Sequence, residues 1–229
     1  MKIYILLFSF MLNIVFSNAQ NNSYDSKTSL IGSTVQSETF KELSGSQYKY
    51  KNFCKADVYI ILNDGSIEYE LNYNAFKDEL EFIENEIIYT VTNPDKIIKV
   101  EINEDVLVHA KYNNYDQEEE GYFFELIDDY ISLYRREIIS HIASQKTFDN
   151  YGISNNDKYL NKTNLYYLSI YGSPLILINN KKALNKLFFN HPVLKSFLKE
   201  EKIKLNSEDD LKKLVTFLND YDKSKMRKN

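Results

Sequence analysis

The chain has no tryptophan, one cysteine, three prolines and six glycines in 229 residues. A single cysteine, Cys54, excludes any disulfide within the chain, so its core has to hold the fold. Six thinly spread glycines exclude the Gly-rich loops that cradle phosphates, and the G-x-S-x-G elbow of a serine nucleophile is absent. The three histidines, His109, His141 and His191, show neither H-x-x-x-H nor H-E-x-x-H spacing. A zinc site would need three separate elements to converge, and the sequence predicts satisfied or exposed histidines with no metal and no cofactor. Positive charge is not in excess either: the formal net charge is −5. Long-range attraction to nucleic acid or to anionic lipid is thereby excluded.

What is present begins at the N-terminus. Met1-Lys2 is followed by an apolar run from Ile3 to Phe16, interrupted by Ser9 and Asn13, and then by Ser17-Asn18-Ala19. This is the pattern of a signal peptide over residues 1–19, cleaved between Ala19 and Gln20. The run is shorter than a spanning helix needs, so no stable membrane span is expected after its removal. No cysteine follows the run, which excludes a bacterial lipid anchor there. Export to the periplasm or the outside is the expected localisation.

Residues 20–46 are polar and serine-rich and read as a flexible leader, with one early strand near Leu30–Val35. A β-rich domain is expected over 47–179, where apolar residues alternate with period two between turn signals. Ala56–Leu62 leads into Asn63-Asp64-Gly65, a hairpin turn, and the return strand places Ile67, Tyr69, Leu71 and Tyr73 on one face. Ser66, Glu68, Glu70 and Asn72 fall on the other, which predicts one buried and one wet face. Further strands are expected at Glu79–Ile83, Ile87–Val91, Ile97–Ile102, Val106–Tyr112, Gly121–Ile127, Tyr130–Arg135, Leu165–Tyr171 and Leu175–Asn179. Asp116–Glu120 and residues 149–163 read as loops.

The period then changes to that of helices over 180–222. Leu184, Leu187 and Phe188 share a face, Pro192 opens a second helix, and Ser207 caps a third with Leu211, Leu214, Val215, Leu218 and Tyr221 as its stripe. Residues 223–229 form a basic, frayed tail. Strands first and helices last give an α+β class: an antiparallel meander, as a curled sheet or partial barrel or sandwich, with C-terminal helices packed on it.

The run Glu70-Leu71-Asn72-Tyr73-Asn74-Ala75-Phe76-Lys77-Asp78-Glu79-Leu80-Glu81-Phe82 resembles a motif of a group of uncharacterised exported bacterial proteins. In these an (L/V)NYN strand precedes an aromatic and D-E-(M/L)-E-F. Lys181-Lys182-Ala183-Leu184, Glu208-Asp209-Asp210-Leu211 and Phe217-Leu218-Asn219 resemble the end of that group. The resemblance spans roughly residues 50–220. It implies one exported module and carries no activity, cofactor or site residue with it.

Chemistry has few candidates. Cys54 with His109 or His141 would make a thiol–imidazole dyad, although a half-buried structural thiol accounts for Cys54 as well. Asp116-Gln117-Glu118-Glu119-Glu120-Gly121 is dense in carboxylates but lacks the ligand order of a calcium loop, so it reads as a solvated hairpin tip. Tyr48, Tyr50, Tyr112, Tyr115, Tyr166, Tyr167 and Tyr171 would suit a ligand surface, and core packing explains them equally. No catalytic residue is assigned. The expected function is a non-catalytic exported module that binds an unknown protein or glycan partner. A carrier of an apolar small molecule is the alternative, with Tyr69, Leu71, Phe82 and Phe124 lining its cavity. An enzyme with a dispersed site is the third reading.

Overall fold

The computed structural model describes residues 45–226 apart from 62, 115–116, 143–146, 150–151, 155–157, 160–162 and 190, with side chains from 141 to 162 and from 224 onward outside the description. The expected signal peptide, leader and early strand, and the cleavage position at Ala19 and Gln20, lie outside the described residues.

Strands β1 (Cys54–Ile60), β2 (Ser66–Asn74), β3 (Glu79–Glu84) and β4 (Ile87–Thr90) form a meander. Its turns are cut where the sequence supplies them: Gly65 has φ +113°, and Asn85 and Glu86 take φ +50° and +65°. A 3-10 turn at Pro94–Lys96 leads into β5 (Ile97–Ile102), followed by β6 (Asp105–Asn114), β7 (Gln117–Ile127) and β8 (Ile131–Ile138). Short strands β9 (His141–Ile142), β10 (Thr147–Asp149), β11 (Gly152–Ser154) and β12 (Lys158–Tyr159) come next. Then β13 (Thr163–Ile170) and β14 (Leu175–Leu177) precede helices α1 (Lys181–Leu187), α2 (Leu194–Glu200) and α3 (Glu208–Met226).

Ten strands make one sheet in the order β14-β13-β8-β7-β6-β5-β1-β2-β3-β4, and β14 pairs again with β6. Strands β6, β7, β8, β13 and β14 therefore close into a barrel, and the other five continue from its wall. Neighbours alternate in direction around the ring, so with five strands the first and last point the same way. The closing contact, Leu175 to Tyr112 and Ile176 to Asn113, is accordingly parallel. The α+β class and the strands-then-helices order stand, while five of the ten strands close into a barrel, beyond the curled sheet or partial barrel or sandwich that the sequence suggested.

Three cores follow from this closure. Inside the barrel, Tyr112, Phe123, Tyr167 and Leu175 are buried together, with the Phe123 and Tyr167 rings 5.0 Å apart. Side chains fill a barrel of this size. The outer face of β6 and β7 presents Leu107, Tyr122 and Phe124 to Leu71, Tyr73, Phe82 and Val100 of the sheet extension. The outer face of β8 and β13 presents Ile131, Leu133 and Leu168 to Leu184, Leu198, Leu211, Leu214, Val215 and Leu218 of the helices. Gly121 to Phe124 are all buried, because β7 is covered on both faces.

Four details depart from the expectations. Asn72, expected on a wet face, is 1% exposed. The chain at Tyr50–Asn52 lies over it: its amide oxygen accepts from the Tyr50 N–H, and its amide nitrogen donates to the Tyr50 and Asn52 carbonyls. Gln117–Glu120, expected in a loop, begin β7 and pair with Lys111–Asn114 of β6. Their charge is absorbed by cross-strand partners, such as Lys111 to Glu118 at 2.9 Å. Residues 149–163 hold β11 and β12, which pair with β10 and β9. Helix α3 runs on to Met226, past the expected start of the tail, where Lys223 pairs with Asp129 at 2.5 Å.

Ser207 does cap α3, its hydroxyl accepting from the Asp210 N–H at 3.3 Å. Asn180 caps α1 through the Ala183 N–H at 2.8 Å. Helix α3 is docked by Glu208, which accepts from Arg135 of β8 at 2.7 Å and from Lys212 at 2.8 Å. Burial pushes the Glu208 carboxyl up, but those two donors outweigh it and hold the group below the usual range. A carboxyl depressed on folding contributes stability above its unfolded value, near 4.3, and loses it as pH falls through the lower folded value. Thermal melts of Glu208→Gln against the native protein should therefore differ most above about pH 5 and converge toward pH 3.

Candidate functional site

One end of the barrel opens into a lobe of about 730 Å³, and a pocket of about 430 Å³ under the helices adjoins it at Leu165, Leu177 and Asn179. That lobe lies where β6 and β8 end, β13 begins and β14 ends, with α1 alongside. Tyr112, Tyr167 and Arg136 contribute to its lining from within the barrel. Ile138, Leu165, Ile176, Leu177 and Leu187 add aliphatic surface, and Asn113, Asn114, Asn179 and Lys186 add polar groups. The chain between β8 and β13 leaves and re-enters the barrel at this same end.

Arg136 belongs to the inward-facing set of β8, and its guanidinium lies 4.6 Å from the Tyr112 ring centroid and 5.7 Å from that of Phe123. Its Nη2 donates to Asp78 Oδ2 at 2.6 Å. Asp78 comes from the β2–β3 turn at φ +58°, and its Oδ1 accepts from the Tyr73 hydroxyl at 2.6 Å and the Tyr122 N–H at 3.3 Å. The pair meets across β7 at Gly121. A Cβ there would sit 2.5 Å from Asp78 Oδ2 and 3.1 Å from Arg136 Nη2. Glycine is thus required for the close approach of two charged groups, not for its backbone freedom. Burial works against the charged guanidinium, but Asp78 and Tyr112 outweigh it and raise its pKa above the ordinary arginine value. The Tyr112 hydroxyl in turn donates to Glu119.

A second cluster lies on the opposite face of β6 and β7. His109 and Glu120 are diagonal neighbours across the β6–β7 pair, and Asp95 reaches them from the 3-10 turn before β5. One donor atom from each lies within 4.8 Å of the other two. Burial lowers the pKa of His109, opposed by the charges of Glu120, Asp78 and Asp95.

The remaining candidates are dispersed. The Cys54 thiol is half-buried against the sheet core and donates to the Asn52 carbonyl at 3.3 Å. No hydrogen bond joins it to His109 or His191, and the His141 side chain lies outside the described residues. His191 Nε2 is 3.4 Å from Asp222 at the helices. Tyr48 donates to Glu81 at 2.7 Å and Tyr50 to Asp105 at 2.8 Å. Tyr166 is buried beneath the helices, whereas Tyr171 is 72% exposed with Tyr130 edge-on to it. Of the tyrosines singled out, Tyr112 and Tyr167 meet at the barrel mouth; Tyr115 lies outside the described residues. Arg136 and Lys186 went unnoticed in the sequence. The inward parity of β8 was the available signal for Arg136.

Among the described residues no helix is long and apolar enough to cross a membrane. Comparison with protein-family models, with curated proteins and with solved structures found no match for this chain.

Proposed function

We propose that the protein is an exported, non-catalytic binding module that holds one small amphipathic molecule at the mouth of its barrel. Export follows from the signal-peptide pattern ending at Ala19. The observation that carries the binding reading is the 730 Å³ lobe itself, which has the size and the mostly apolar lining of a ligand pocket. Aliphatic surface from Ile138, Leu165, Ile176, Leu177 and Leu187 suits an apolar body. Lys186 and the three asparagines suit a polar, acidic head.

The location of the ligand differs from that of the carrier reading in the sequence analysis. Tyr69, Leu71, Phe82 and Phe124 are packed against one another in the sheet core, and aromatic rings fill the barrel interior. Cargo therefore belongs at the mouth, beside α1.

Native mass spectrometry on protein recovered from its own host, then titrated with dodecanoic acid and with dodecanol, tests this. One acid per chain is expected. Lys186→Glu should weaken the acid about tenfold and leave the alcohol unchanged, while Leu177→Arg should weaken both. Absence of saturable binding, or binding indifferent to both substitutions, rejects the reading.

A further inference from the structure

We propose that Asp95, His109 and Glu120 form a binding site for a divalent transition-metal ion, with Zn²⁺ as the ion they suit. The three residues come from three elements, the 3-10 turn, β6 and β7, and their donor atoms lie within 4.8 Å of one another. Metal–ligand bonds of 2.0–2.2 Å in a tetrahedral shell put donors about 3.4 Å apart. Side-chain rotations that draw the donors together by up to about 1.4 Å close the difference. One imidazole nitrogen and two carboxylate oxygens suit zinc better than calcium, which takes six to eight oxygens.

Each ligand is available. Among the described residues no side-chain hydrogen bond or ion pair engages Asp95 or His109. Glu120 has Lys111 at 3.8 Å, but that ammonium is closer to Glu118, at 2.9 Å. Asp95 and Glu120 are reachable from solvent, while His109 is half-buried. The ion has an entry path, and the imidazole is held by the packed sheet.

An independent observation lies beside the cluster. The Tyr122 side chain faces His109 directly across the strand pair, with ring centroids 5.0 Å apart. Tyr122 is 5% exposed, and its hydroxyl has no hydrogen-bond partner. It lies in the field of Asp78, Glu79 and Asp95. A buried phenol without a partner is costly, and most buried polar groups are satisfied by protein or ordered water. Three protein ligands leave zinc a fourth position for water.

The site does not depend on the barrel-mouth ligand, since it sits on the other face of β6 and β7. The test is titration of the full chain with Zn²⁺ in competition with a chromophoric chelator. One ion per chain is expected, with Asp95→Asn, Glu120→Gln and His109→Asn each weakening it at least tenfold. His191→Asn should leave it unchanged. Asp95 is exposed and Glu120 half so, hence their substitutions leave the fold intact and isolate ligation from folding. Absence of saturable binding, or binding retained in His109→Asn, overturns the site.

Discussion

Glu137→Ala should lower the free energy of unfolding by roughly 3 kcal/mol, read from urea denaturation. Glu137 is 2% exposed, yet it sits in an ionic network. It accepts from Lys49 at 2.6 Å and lies 3.2 Å from Arg135, which also reaches Asp105 at 3.4 Å and Glu208 at 2.7 Å. Removing the carboxylate leaves two largely buried cations, at 14% and 12% side-chain exposure, to share what remains. The flat side of the Phe124 ring, 4.8 Å from Lys49 Nζ and 5.0 Å from the Arg135 guanidinium, returns only part of that loss. Glu137→Gln keeps the volume and a hydrogen-bond acceptor, so it should cost less. A loss under about 1 kcal/mol in the alanine variant would mean that water hydrates the network freely.

Gly121→Val should cost a similar amount, roughly 3 kcal/mol by the same measurement. The first added carbon already occupies the space of the Asp78 carboxylate, and the valine methyls extend the clash. Asp78 has little freedom to retreat, because Tyr73, Tyr122 and Arg136 all hold it. Displacing it also uncouples the β2–β3 turn from the barrel. Valine otherwise suits a strand, so propensity alone predicts stabilisation. The sign of the change decides whether close approach or propensity governs this position.

Local pattern made much of the sheet legible. The alternation in Ser66–Tyr73 and the Asn-Asp-Gly turn predicted a hairpin that appears as β1 and β2, and β5 falls on its expected bounds. Ser207 was readable as a cap because a cap depends on its immediate neighbours. Barrel closure was not readable, because two residues of β14 meet β6 across a long stretch of chain and leave no periodic mark. Asn72 looked like a wet-face residue until the segment before β1 folded over it. Neither site was visible as a motif either. Asp95, His109 and Glu120 share no spacing that marks a ligand set, and only the β6–β7 register with the adjoining turn brings them together. Arg136 and Asp78 meet through a gap that a glycine leaves, and a missing side chain gives no pattern.

The parallel closure also orders events during synthesis. β6 emerges from the ribosome early but lacks its second ring partner until β14 follows. Until Leu177 is free, the growing chain can form a meander with an open edge, not a ring. That edge belongs to β13, whose Tyr167 and Leu168 pair with β14 in the finished protein. Exposed strand edges are where chains join one another. A chain built this way gains from closing only after synthesis, when the whole ring is within reach at once.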